Sequence, residues 1–131
     1  MIFEYSVKTD RAQQLVDVTA KVADAVKKSG KKEAHVLISV PHTTCAMTIN
    51  ENCDPAVPSD LLRRLEKIVP VHDPEDRHAE GNSAAHLKSS LVGFSVMMPV
   101  SDGGLLLGTW QGIYLCEFDG PRTRRLVVSI I

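Results

Sequence analysis

Aromatic side chains make up only 5% of this 131-residue chain. That is too few for the stacked platform on which proteins seat single-stranded nucleic acid. There is no excess of basic charge either: 15 Lys and Arg stand against 16 Asp and Glu, a formal net charge of -1. This balance excludes nucleic acid and anionic lipid as the main partner. No apolar run approaches the ~20 residues of a membrane span. The three cysteines, Cys45, Cys53 and Cys116, are odd in number and lack CxxC spacing. Neither a disulfide framework nor a thiolate zinc site is indicated. Met1-Ile2-Phe3-Glu4-Tyr5 has no signal-peptide character, and a reducing cytoplasm is the expected compartment. The phosphate-cradling GxxxxGKS/T and GxGxxG patterns and the HExxH zinc pattern are also missing.

What is present suits one domain over residues 1–131, since 44% hydrophobic content can fill a core without disulfide staples. Residues 2 to 8 alternate, with Phe3, Tyr5 and Val7 on one face, as a strand does. Asp10 followed by Gln13 reads as a capping box. Leu15, Val18, Val22 and Ala25 follow at helical spacing, up to Lys27, Lys28 and a closing Gly30. The run 34–40 reads as a buried strand with His35 packed inside it, and residues 44–50 alternate as the next. Pro41-His42-Thr43 bends between them. Asp54-Pro55 opens a helix with the stripe Val57, Leu61, Leu65 and Ile68, ending near Pro70. Pro58 is tolerated in its first turn. Residues 70–81 form a polar loop longer than ordinary connections, with His72 in solvent. Asn82 caps a short helix through about Leu91. The remainder reads as β: 94–99, a hairpin turn at Ser101-Asp102-Gly103-Gly104, 105–107, 109–118, a turn at Asp119-Gly120-Pro121, and 124–131. This order predicts an α+β fold, a compact antiparallel β-rich sandwich-like sheet with about three helices.

Chemistry concentrates between Arg77 and Lys88, where a polar loop becomes a helix. The segment holds His78, Glu80, Asn82 and His86. His42-Thr43-Thr44, after a strand, supplies a third imidazole. Neutral imidazoles from separate elements suit a transition metal, and three of them with an open position suit a catalytic centre. The competing reading is that these histidines are exposed and serve only caps and surface hydrogen bonds. The donor type favours zinc, with magnesium or manganese as alternatives. Glu80 is the preferred general acid or base, and Glu51, in Asn50-Glu51-Asn52, the second candidate. Helix capping and the helix dipole account for Asp54 and Asp60. Lys88 and Arg122, with Arg124 and Arg125 nearby, are the nearest approach to an anion site, and Asn82 joins the substrate-binding set. In Gly108-Thr109-Trp110-Gln111-Gly112 the only tryptophan and an amide sit between glycines. Thr109, Trp110 and Gln111 either floor a ligand pocket or make a sheet or subunit contact. Cys45 and Cys53 lack a base beside them in sequence, so both read as buried cysteines, with a thiol nucleophile the lesser alternative.

Several motifs occur in a fixed order: His42-Thr43-Thr44, Asn50 to Pro55, His78-Ala79-Glu80-Gly81-Asn82, Ala85-His86-Leu87-Lys88, Leu107 to Gln111, and Glu117 to Arg122. Together they resemble the YjbQ family, known as secondary thiamine-phosphate synthases, over the whole chain. The resemblance implies a β-rich α+β fold, a homotrimer, and a metal-compatible site at His42, His78 and His86. It also implies an activity that joins hydroxymethylpyrimidine diphosphate to a thiazole phosphate and releases pyrophosphate. Such chemistry ordinarily uses magnesium, oxygen ligands and several basic groups, whereas the imidazoles here suit zinc. The expected function is a metal-dependent enzyme for a small anionic metabolite. A metal-dependent hydrolase and a non-catalytic metal- or metabolite-binding trimer are the alternatives.

Overall fold

The computed structural model describes residues 1–131. It contains three helices and eight strands in two antiparallel sheets, an α+β fold. Alternation along β1 (Ile2–Lys8) puts Phe3, Tyr5 and Val7 against the core. β1 pairs with β8 (Thr123–Ile130), and β8 pairs in turn with β3 (Ala34–Ser39). β5 (Ser95–Ser101) and the short β6 (Gly104–Leu105) complete this five-stranded sheet. The second sheet has β7 (Gln111–Glu117) at its centre, flanked by β2 (Gln14–Asp17) and β4 (Cys45–Glu51).

The main core lies between the sheets, where Val36, Ile38, Leu126 and Val128 meet Met47, Ile113 and Leu115. α1 (Thr19–Ser29) adds Val22, Ala25 and Val26 to the same cluster. Each fully buried Val, Leu, Ile or Met among them contributes about 1.5–3 kcal/mol. On the far side of the second sheet, Ala46, Cys116 and Phe118 pack with Ala85 of α3 (Ser83–Val92) and with Leu62 and Leu65 of α2 (Ala56–Ile68). With both faces covered, β7 is buried from Gly112 to Glu117. Its sequence is therefore an unbroken apolar run up to its last residue rather than an alternation.

Three local expectations change. Residues 14–17 are strand, with Leu15 and Val16 opposite Cys116 and Leu115. The helix begins only at Thr19, where Asp17 Oδ1 accepts from the Thr19 amide at 2.9 Å and from its hydroxyl at 2.6 Å. Asp10 caps nothing; its own amide donates to Gln14 Oε1 at 2.9 Å. Pairing with β7 outweighs the 3.6-residue periodicity that this segment also carries. The second change concerns His35, which is exposed and faces away from the core. Val36 and Ile38 take the inward positions, so strand alternation sends His35 outward.

Residues 106–107 and 109–110, expected within two strands, are not strand either: β6 stops at Leu105 and β7 starts at Gln111. Several other elements follow their local signals. Gly30 closes α1 with φ 70°. Asp54 Oδ1 accepts from the Ala56 amide at 2.9 Å as α2 begins. Asp102 and Gly103, both at positive φ, turn β5 into β6. No helix is long and apolar enough to cross a membrane.

Candidate active site

The start of β4, the end of β7, the start of β8 and the N-terminal turn of α3 meet at one end of the second sheet. There they enclose an open cavity of about 380 Å³ with no apolar side chain in its wall except Pro41. His42 and Thr44 reach it from the bend between β3 and β4. His78 and Glu80 come from the long loop, and Asn82 and His86 from the start of α3. Arg122 and Arg124 enter from the turn before β8 and from β8 itself.

A buried ion pair anchors this end of the sheet. Arg124 is 4% exposed and Glu117 fully buried. Arg124 Nε donates to Glu117 Oε1 at 2.9 Å, and its Nη2 donates to Oε2 of the same carboxylate. Nη2 also donates to the Thr44 carbonyl at 3.1 Å and to the Thr44 hydroxyl at 2.9 Å. Thr9 Oγ1 donates to Glu117 Oε1 at 2.8 Å. Burial opposes the Arg124 charge, but the hydrogen-bonded carboxylate more than offsets it and raises the guanidinium pKa further. Fully hydrogen-bonded in this way, the pair avoids the penalty of lone buried charges.

The same strand controls His42. The Arg125 amide donates to His42 Nε2 at 2.8 Å. Burial first, and the Arg124 charge second, lower the pKa of His42, so it is neutral near pH 7. A neutral imidazole has one lone pair in its ring plane, and here it faces the amide. The proton is thus on Nδ1, which leaves a donor for the cavity. His78 shows a looser version, its Nδ1 accepting from the Glu80 amide at 3.3 Å. The ring of His86 makes no hydrogen bond within the protein and lies 5.2 Å, centroid to centroid, from that of His78.

Two rings ligating one tetrahedral zinc through bonds of ~2.0–2.1 Å have centroids roughly 5 Å apart. The His78–His86 spacing is compatible with two rings on one divalent ion, but no three His, Cys, Asp or Glu side chains are gathered as a group that could hold a metal. His42 fits less well, because ligation would require it to give up the Arg125 amide. Asn82 offers another oxygen. Its Nδ2 donates to Asp119 Oδ2 at 2.8 Å and to Glu80 Oε2 at 3.5 Å, while its buried Oδ1 has no partner. Asn82 precedes α3, but its side chain does not cap the helix; it ties the long loop to the β7–β8 turn.

The charge count is informative. Glu80, Asp119 and the underlying Glu117 face only Arg122 and Arg124. Arg122 is already held by Asp119, with Nη2 to Oδ2 at 3.0 Å. With neutral imidazoles the site has one negative charge in excess. An anion would enter only if another positive charge joined the site, from a divalent cation or protonated histidines.

Other expected residues lie elsewhere. Lys88 does not join Arg122 in an anion site: it is 1% exposed and donates to Glu66 Oε1 at 2.7 Å and Gln13 Oε1 at 3.0 Å. Lys88 is two residues from His86, so the helix turns it to a different face. Glu51 ends β4 at the opposite end from Cys45, roughly 20 Å away at ~3.3 Å per residue. Its carbonyl accepts from the Tyr114 hydroxyl at 3.0 Å. Thr109, Trp110 and Gln111 sit at the Glu51 end too. There Gln111 Oε1 closes a turn on the Gly108 amide at 2.8 Å and Trp110 is 59% exposed. Thr44, Glu117, Asp119 and Arg124 are the site residues missing from the expected set, with Arg124 only a neighbour of it. The signal for Arg124 was its alternation with Leu126, Val128 and Ile130, which places a charge on an inward face.

The sequence profile of the family described as "UPF0047 protein YjbQ-like" matches residues 3–131. UPF0047 protein YugU of Bacillus subtilis (strain 168) is 47% identical over 131 residues, covering 100% of this chain and 99% of that protein. UPF0047 protein MJ1081 of Methanocaldococcus jannaschii is 48% identical, covering 100% and 94%. The crystal structure of an uncharacterized conserved protein of the YjbQ/UPF0047 family from Clostridium acetobutylicum superposes with a TM-score of 0.96 at 48% identity. It covers 98% of this chain and 99% of that one.

Proposed function

The chain belongs to the UPF0047 YjbQ-like family, and we propose that it is a metal-dependent enzyme acting on a small anionic metabolite. The observation that carries this reading is the convergence of three imidazoles, a carboxylate and two guanidiniums on one polar cavity of about 380 Å³. His78 and His86 would hold a divalent ion, zinc first on donor type, with Asn82 Oδ1 as a further donor and His42 kept as a hydrogen-bond donor by the Arg125 amide. Such an ion supplies a Lewis acid for a phosphoryl oxygen or an activated water, and it turns the negative excess of the cavity positive. The protein's own groups do the rest. Arg122 binds an anionic group of the substrate. His42 donates from Nδ1 to a substrate oxygen, oriented by the Arg125 amide. Glu80, exposed on the loop, takes or delivers the proton.

The condensation of hydroxymethylpyrimidine diphosphate with thiazole phosphate is the specific candidate drawn from the resemblance. Hydrolysis of a phosphate ester by the same site is the rival, favoured by the open, water-accessible cavity. Assembly as a trimer is drawn from the resemblance; apolar side chains left in solvent, including Ile68 at 72% and Leu91 at 59% exposure, offer surface for an interface without fixing its symmetry.

Elemental mass spectrometry on untagged protein is the test. About one metal per chain is expected, with loss in folded His78→Ala and His86→Ala. Glu80→Gln should keep the metal and lose about 10²-fold or more in turnover. Formation of thiamine phosphate from both substrates identifies condensation, while turnover of a single phosphate ester identifies hydrolysis. No metal after reconstitution with zinc, manganese or magnesium overturns the reading.

A further inference from the structure

The amphipathic helix α2 leaves a groove between itself and the second sheet. No residue of α2 is buried, although Leu61, Leu62, Leu65 and Ile68 all line this groove. The groove holds about 260 Å³ and shares no wall residue with the polar cavity. Leu15, Cys116 and Phe118 line it from the sheet side, and Val92 from the end of α3. Its polar wall residues are Thr48, Asn50 and Arg64, and no carboxylate is among them. The Arg64 guanidinium enters no ion pair or hydrogen bond within the chain, whereas its neighbour Arg63 pairs with Asp60 at 3.5 Å.

We infer that this groove binds an alkyl monocarboxylate, with the tail between α2 and the sheet and the carboxylate on Arg64. An apolar hollow gives water few partners, and an alkyl chain that displaces it gains burial and dispersion contacts. Leu61 and Ile68 are separated by about 10 Å of helix, so the wall suits an extended chain. The volume falls just under the ~300–1,000 Å³ of drug-sized pockets and sets a small ligand. A guanidinium with no acidic neighbour in the wall matches one negative charge and can form the bidentate pair that carboxylates favour. The groove lies beneath α2, where a slender molecule enters and the flat surface of a second copy does not.

The probes are octanoate, hexanoate and octan-1-ol, titrated calorimetrically into the full chain. Octanoate should bind once per chain, and hexanoate about 15-fold more weakly, at about fourfold per methylene. Arg64→Gln, at an exposed position, should weaken octanoate about tenfold and leave octan-1-ol within about twofold. Leu61→Trp, also at an exposed position, should exclude both, and His86→Ala, in the other cavity, should change neither. Octanoate binding that is insensitive to Arg64→Gln, equal to that of hexanoate, or lost in His86→Ala overturns the inference. Absence of binding in the parent overturns it too, and a lower molar mass of Leu61→Trp by light scattering would then assign the groove to a second copy.

Discussion

Arg124 connects the chemistry of the cavity to the stability of the fold. It neutralises Glu117, fixes the Thr44 carbonyl and precedes the amide that orients His42. Arg124→Met should leave Glu117 charged and unpaired in the interior and destabilise the protein by about 3–5 kcal/mol, readable by urea denaturation. Glu117→Gln together with Arg124→Met should recover part of that loss, because no lone charge then remains buried. The cysteines show the same dependence on surroundings. Burial pushes the Cys45 thiol up to about 11 and Cys116 up to about 12, whereas Cys53 is exposed. Iodoacetamide at pH 8 should therefore label Cys53 alone in the native protein, as peptide mass spectrometry would show. Labelling of Cys45 would reopen a nucleophilic role for it.

Among the elements, α3 joins chemistry to packing. One face carries His86 to the cavity, and a second face, two residues on, buries Lys88 against Glu66 of α2. Burial alone would raise the Glu66 pKa, but hydrogen bonds from Lys88, the Val71 amide and Gln13 outweigh it and hold the carboxyl at about 2. A depressed carboxyl stabilises the fold above its unfolded value, near 4.3, and the gain is lost as pH falls towards the folded value. Stability should thus drop between about pH 5 and pH 2, and Glu66→Gln should flatten that part of the profile. The same substitution at neutral pH leaves Lys88 buried without its counter-charge and should cost about 3 kcal/mol. At the other end of α3, Gly93→Ala forces a side chain into φ 99°. It should cost about 1–3 kcal/mol in thermal unfolding, even though open space surrounds the added carbon.

Across the whole molecule, protection is unevenly distributed. β7 is covered on both faces, and β3 and β8 supply much of the main core, whereas no residue of α2 is buried. Hydrogen exchange should be slowest in β3, β7 and β8, and α2 should exchange through local opening well below the global unfolding energy. Uniform protection across α2 in the isolated chain would contradict this. The apolar stripe of α2, covered at Leu65 but exposed at Leu61 and Ile68, also explains why that helix was plain in the sequence. Val57, Leu61, Leu65 and Ile68 keep helical spacing whether or not a partner covers them.

Signals that act within a few residues were legible from the sequence alone. Alternation in 2–8 and 44–50, the stop at Gly30, the turn at Asp102-Gly103 and the long polar loop before α3 all arise from local sterics and local hydrogen bonds. The imidazoles, Glu80, Asn82 and Arg122 could be picked out because polar groups at loop–element junctions stand out against an apolar background. Tertiary structure alone decided which of them meet. Leu15 became strand through Cys116, a hundred residues away in the chain. Lys88 was claimed by Glu66, and Arg124 by Glu117 and Thr44. Register and burial set these pairings across the two sheets, and no short window of sequence contains both partners. A charge's surroundings, and with them its protonation and its role, therefore exist only once the chain has folded.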